Sequence, residues 1–181
     1  MAERLTVLGV GNLLFADEGV GVHAVRLLAR RHAEDMPGVE FLDGGTLGLN
    51  LLRYIEESNA LLLLDAVDIG AAPGTVTAIA GEDLPRFAGI KLSEHQVTVQ
   101  EVLGLARIRG RLPERLALVG MQPASLAPDD LLSPVAAAAL PEMLERAEGV
   151  LDQWAKQPLL FPPPTREFRR TGAGGGEGGE R

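Results

Sequence analysis

The chain alternates between apolar runs without a polar face and segments whose apolar residues recur at helical spacing. Leu5-Thr6-Val7-Leu8-Gly9-Val10 is a continuous, largely apolar run with β-branched members, closed by Gly11-Asn12, and it predicts a buried parallel strand. From Val20 to Arg31 the period changes. Val20, Ala24, Leu27 and Leu28 recur as one helical stripe, and Arg26, Arg30 and Arg31 fall on other faces. Gly38 precedes a second strand, Val39 to Leu42, stopped by Asp43-Gly44-Gly45-Thr46. A helix is then expected from Leu47 to Glu57, with Thr46 as its N-cap. Ala60 to Leu64 is the third and most apolar strand. Ala71-Ala72-Pro73-Gly74 reads as a turn, and Thr75 to Ile79 as a β-prone edge strand. Ser93-Glu94-His95-Gln96 leads into a helix from Val97 to about Ile108, and Leu116 to Val119 is the last strand. A final helix spans about Val135 to Trp154, interrupted at Pro141, where a fresh helix can begin without losing a bond. Strands alternating with helices predict an α/β fold, a three-layer α/β/α sandwich around a mainly parallel sheet.

Length and composition narrow the field. At 181 residues the chain suits a single domain with a sizeable core, placed at 1–156. Residues 157–181 carry Pro162-Pro163-Pro164 and Thr171-Gly172-Ala173-Gly174-Gly175-Gly176, which cannot build a core, so a disordered tail is expected. Twenty-five acidic residues against 17 basic give a net charge of −8. That disfavours nucleic acid as a partner and suits a protein partner with a basic patch. Cysteine is absent, which removes disulfides, thiolate metal sites and a cysteine nucleophile together. The start of the chain lacks signal-peptide architecture, and no apolar stretch reaches the roughly 18–20 residues of a membrane span. The expectation is a soluble, cytoplasmic protein with no membrane partner.

Three places carry candidate chemistry, each where an apolar run gives way to a loop. Asp17-Glu18 follows the first strand and precedes the first helix, where acidic groups also suit the positive end of the helix dipole. Asp65 closes the run of four leucines, at the strand end where α/β sheets bind ligands; hydrogen bonding to a neighbouring loop is its plainer role. His95 lies just before a helix, as a ligand or as a capping or partly buried group. Two carboxylates and an imidazole make an oxygen and nitrogen set suited to a borderline divalent metal. His23 and His32 fall within the first helix and read as surface or structural groups, and Asp68 as solvated. Asp43-Gly44-Gly45-Thr46 is most simply a tight turn with a helix cap; otherwise its bare backbone approaches a substrate chain.

Several chemistries are disfavoured. Gly9-Val10-Gly11-Asn12 invites a dinucleotide reading, with Asp43 on a ribose, but Leu14 stands where the third glycine belongs. There is no GxxxxGK[ST], no GxSxG and no HExxH, and Ser125 sits in a proline-flanked loop without a local histidine.

Five ordered blocks resemble the hydrogenase maturation endopeptidases. They are GVGNLLFADEGVGV at 9–22, FLDGGTLGLNLL at 41–52, LLLLDAVDIGAAPGTV at 61–76, LSEHQ at 92–96 and LALVGMQPASLAP at 116–128. The resemblance covers most of residues 4 to 155 and implies a central five-stranded sheet between helices. It implies an endopeptidase that trims the C-terminus of a nickel–iron hydrogenase large-subunit precursor. Glu18, Asp65 and His95 are then the metal-site and catalytic residues, meeting nickel carried by the substrate. No organic cofactor is expected. Asp43, Gly44, Gly45 and Thr46 are candidates for gripping the extended peptide, and the enzyme is expected to be monomeric. A nickel-sensing assembly chaperone that hydrolyses nothing, and a nucleotide- or small-ligand-binding α/β domain, are the competing readings.

Overall fold

A computed structural model describes residues 4–81, 84 and 97–157. A five-stranded sheet has the order β2-β1-β3-β5-β4, where β1 is Leu5–Val10, β2 Val39–Gly45, β3 Ala60–Ala66, β4 Val76–Ala80 and β5 Arg115–Met121. The pairs β1–β2, β1–β3 and β3–β5 are parallel, whereas β4 runs antiparallel along β5 as an edge strand. The helices are α1 Val20–His32, α2 Leu52–Glu57, α3 Val99–Ile108 and α4 Pro134–Lys156.

The leucine run of β3 explains the layering. Successive side chains of a strand point to opposite faces, so a strand covered on both sides is apolar at every position. Leu62 and Leu64 pack with Val7 of β1, with Val20, Ala24, Val25 and Leu28 of α1, and with Met143, Leu144, Ala147 and Leu151 of α4. Leu61 and Leu63 face the opposite core, against Leu51, Ile55 of α2 and Val102, Leu103 and Ala106 of α3. The sheet is thus a central layer between α1/α4 and α2/α3.

Four expectations shift. The second strand does not stop at Leu42: β2 runs on through Asp43 to Gly45, pairing Asp43 with Gly9 and, after a register shift, Gly45 with Val10 of β1. The second helix begins later than Thr46: a 3-10 turn at Gly48–Leu51 leads into α2, and Leu47 takes the cap position without a side-chain bond. The Leu47 N–H donates to the Gly44 carbonyl, so Thr46 lies inside a tight turn and does not cap. The final helix is not interrupted. α4 runs through Pro141, which lies on its exposed side. Proline there removes one helical bond, and burial of Ala136, Met143, Leu144, Ala147 and Leu151 along the other side outweighs the loss. The third helix starts at Val99, because Thr98 caps it: its hydroxyl accepts from Glu101 N–H and the Glu101 carboxylate accepts from Thr98 N–H. Among the described residues, no helix is long and apolar enough to cross a membrane. The Pro/Gly-rich segment from residue 158 onward lies outside the described residues.

Candidate active site

β1 and β3 lie side by side at the centre of the sheet, and their carboxyl ends open onto the edge where α/β folds place ligands. Asp65 is the penultimate residue of β3 and pairs with Gly120 of β5. As a residue it keeps some accessible surface, yet protein encloses its carboxyl group. That burial holds the carboxyl well above the usual carboxylate range. A backbone hydrogen bond at Ala66 works in the other direction, and the nearby Glu18 charge adds a further upward push. The Glu18 charge is thus felt at Asp65, as a smaller contribution than burial.

Glu18 is 3% exposed and belongs to a 3-10 turn, Ala16–Gly19, that joins the β1 loop to α1. Two glycines place it. Gly11 has φ +130°, and a Cβ there would overlap the Glu18 carbonyl, so only a bare backbone lets the turn fold back onto the end of β1. One helical turn past Glu18, Gly21 sits with its Cα against the Leu64 carbonyl, next to Asp65. The start of α1 is thereby pressed onto the end of β3.

The adjacent carboxylate has a different task. Asp17 is fully buried, and its Oδ2 accepts from Ala124 N (2.8 Å), Ser125 N (3.0 Å) and Ser133 Oγ (2.8 Å). Its Oδ1 accepts from Ser133 N at 2.7 Å. Asp17 thus fastens the loop between β5 and α4 to the turn that carries Glu18. Neither acid caps a helix with its side chain. Ser125, in that loop, receives the Asp17 N–H on its carbonyl and the Ala127 N–H on its hydroxyl, which fits a role in loop geometry.

Asp43-Gly44-Gly45-Thr46 lies beside this turn, tied in by a hydrogen bond from Gly11 N–H to the Gly45 carbonyl at 3.0 Å. Both Asp43 oxygens are engaged. Oδ1 accepts from Gly45 N–H at 3.1 Å, and Oδ2 pairs with the Arg26 guanidinium of α1 at 2.7 Å. Gly44 is buried against Leu8, whereas Gly45, at φ +42°, has open space: a Cβ there would meet only Asp43 Oδ1, at 3.7 Å. Arg26 was legible only as a residue off the apolar stripe of α1, and nothing in its spacing pointed to Asp43.

His95 falls outside the described residues. Among those described, no three His, Asp or Glu side chains form a metal-holding group. His32 does structural work, its Nε2 lying 2.8 Å from Glu148 Oε1 and so linking α1 to α4. His23 is part-buried, and burial, followed by the Arg26 charge, lowers its pKa. Asp68 is exposed and accepts the Gly70 N–H.

The domain is a three-layer α/β/α sandwich with two neighbouring carboxylates, Glu18 and Asp65, at the carboxyl edge of its sheet, where α/β folds place their ligands. The chain belongs to the hydrogenase maturation protease family, whose model matches residues 22–150. It is 42% identical over 157 residues to the hydrogenase expression/formation protein HupD of Rhizobium leguminosarum bv. viciae, covering 84% of this chain and 76% of that protein. The match to HupD of Rhodobacter capsulatus, 48% identical over 126 residues, spans 59% of that protein. The hydrogenase 2 maturation protease of Escherichia coli (strain K12) is 39% identical over 150 residues, covering 82% of this chain and 90% of the relative. Among solved structures, the hydrogenase maturating endopeptidase HybD from E. coli aligns with a TM-score of 0.72 at 37% identity, covering 83% of this chain and 93% of the other. The chain is accordingly a peptidase of hydrogenase maturation, which sets aside the non-hydrolytic chaperone and the nucleotide-binding domain.

Proposed function

We propose that this endopeptidase removes the C-terminal extension of a nickel-loaded nickel–iron hydrogenase large-subunit precursor. Glu18, Asp65 and His95 meet the nickel carried by that substrate. The observation that carries the reading is the buried carboxylate pair, in which the Glu18 charge helps to raise the Asp65 pKa. Burial disfavours charge on Asp65 and the Glu18 charge adds to that, and a cation brought by the substrate would relieve both. The enzyme would then be primed by the feature that marks a correctly loaded precursor.

In the cleavage itself, a water oxygen attacks the scissile carbonyl carbon, and the substrate's nickel polarises that carbonyl or the water. One carboxylate of the pair takes the proton from the water and passes it to the departing amine nitrogen as the C–N bond breaks. The Asp43-Gly44-Gly45-Thr46 segment, whose side-chain carboxylate is already engaged, grips the extended peptide through its backbone. The enzyme acts as a monomer in the cytoplasm, without an organic cofactor.

The test is mass spectrometry of the precursor after incubation with the enzyme, with and without nickel loaded. Release of a C-terminal peptide only from the loaded form is the expected result. Equal cleavage of the nickel-free precursor would show that nickel is not recognised.

A further inference from the structure

We infer that Asp17 and Ser133 form a clasp that holds Ala16 in a strained conformation and so aims Glu18 into the site. The inference rests on the catalytic reading of Glu18 given above, and it makes Asp17 a positioning residue that does not itself touch substrate.

Ala16 is the single non-glycine residue with positive φ among those described, at +42°. A Cβ makes that left-handed conformation unfavourable, and it persists only where the surroundings enforce it. Here they do so from several directions. Ala16 is buried, and its N–H donates to the Asp129 carbonyl at 2.8 Å. The Asp129 N–H returns a bond to the Leu14 carbonyl at 3.0 Å, and the Asp17 N–H donates to the Ser125 carbonyl at 3.1 Å. The Asp17 carboxylate then gathers four donors from Ala124, Ser125 and Ser133. Residues 14–17 and 124–133 are thus laced together on both sides of the strained residue.

Ser133 extends the lacing into the fold. Its hydroxyl donates to Asp17 while accepting the Ala136 N–H, which makes it the N-cap of α4. A burial-anchored helix of 23 residues therefore fixes the far side of the clasp. Glu18 lies two residues beyond Ala16. A relaxation of residue 16 to the ordinary right-handed region would rotate the whole 3-10 turn, and Glu18 with it, away from Asp65. The two neighbouring acids divide the work: one is spent on geometry so that the other keeps its direction.

The test uses the full-length enzyme and the nickel-loaded precursor, with five variants. Asp17→Asn replaces one acceptor oxygen with an NH2 donor that faces a donor it cannot receive, and is expected to lower kcat by at least about tenfold, comparable to one lost charge-assisted hydrogen bond, while KM stays within about twofold. Ser133→Ala removes one donor to Asp17 together with the N-cap of α4 and should give a smaller loss of kcat, alongside a lower Tm, which keeps the test open if Asp17→Asn folds poorly. Ala16→Gly should be close to wild type, because glycine adopts this φ without strain. The Ala16→Gly/Asp17→Asn double variant should recover most of the lost kcat, since the clasp no longer has strain to hold. Leu151→Ala, a core truncation far along α4, supplies the stability control: it lowers Tm and leaves kcat unchanged below the transition.

A double variant no more active than Asp17→Asn, or a Leu151→Ala variant with an equal loss of kcat, would overturn the clasp. A crystal structure of Asp17→Asn gives a readout independent of substrate. Residue 16 is expected to leave the left-handed region with Glu18 displaced, and an unchanged turn would overturn the inference. Failure of the wild-type enzyme to cleave any precursor would strike the proposed function, and this structural readout would still decide whether the clasp exists.

Discussion

Gly21 of α1 rests its Cα on the Leu64 carbonyl of β3, leaving no room for a side chain between helix and strand. A Cβ at Gly21 would overlap that oxygen and stand 2.5 Å from the Val10 carbonyl. Both obstacles are backbone, so neither can rotate aside. The contact brings Glu18 and Asp65 together from opposite sides.

Gly21→Ala should therefore cost about 1–3 kcal/mol of stability, the usual range for overpacking a tight interior. It should also depress cleavage beyond what that loss explains, by moving Glu18 away from Asp65. Urea unfolding monitored alongside cleavage below the transition checks both. A variant of wild-type stability and activity would show that α1 can shift without consequence.

The raised Asp65 pKa gives stability a defined dependence on pH. In the unfolded chain this carboxyl ionises near its ordinary value of about 3.9, while in the fold it holds its proton to higher pH. The native state thus gains from Asp65 below about pH 4, and that gain is lost as pH rises toward the folded pKa. Asp65→Asn removes the titration and leaves an oxygen able to accept a backbone hydrogen bond. Its stability relative to wild type should increase from pH 4 toward neutrality, with peptide release abolished. Thermal melts of the metal-free proteins across that range test the sign. A difference that stays flat or reverses would contradict burial as the main cause.

Gly45→Ala separates strain from substrate contact. A left-handed alanine costs about 1–2 kcal/mol, yet the space around Gly45 admits the methyl group, so the variant should fold. If the peptide lies against this backbone, KM should rise about tenfold with a smaller effect on kcat. An unchanged KM would remove Asp43-Gly44-Gly45-Thr46 from the binding surface.

The charge of −8 predicts that the precursor docks through a basic face. Association measured by stopped flow should slow as salt rises from about 0.05 to 0.5 M, where the screening length becomes shorter than the spacing of surface charges. Salt-independent association would point to apolar docking.

The sequence revealed those features that depend on local chemistry. β1 was legible to the residue because its apolar run ends at a glycine, and β3 because leucines on both faces require cover on both faces. Asp65 stood out for the same reason, as a charge closing that run. What was hidden depends on contacts across the chain. The division between Asp17 and Glu18 is set by donors more than 100 residues away, at Ala124, Ser125 and Ser133, and no local pattern announces them. Thr46 looked like a cap because it precedes helical spacing, but the turn from Gly44 to Leu47 uses that position first. Pro141 looked like a break because its missing N–H is a local fact, whereas the packing that carries α4 past it is not.

The proposed function requires that Glu18 and Asp65 act together on nickel brought by the substrate. Nickel X-ray absorption tests it most directly, on loaded precursor alone and on its complex with the enzyme frozen before turnover. The predicted result is a gain of oxygen or nitrogen neighbours at nickel in the wild-type complex, diminished with Glu18→Gln and with Asp65→Asn. A nickel spectrum unchanged by the enzyme, in a mixture that goes on to release the peptide, would contradict it.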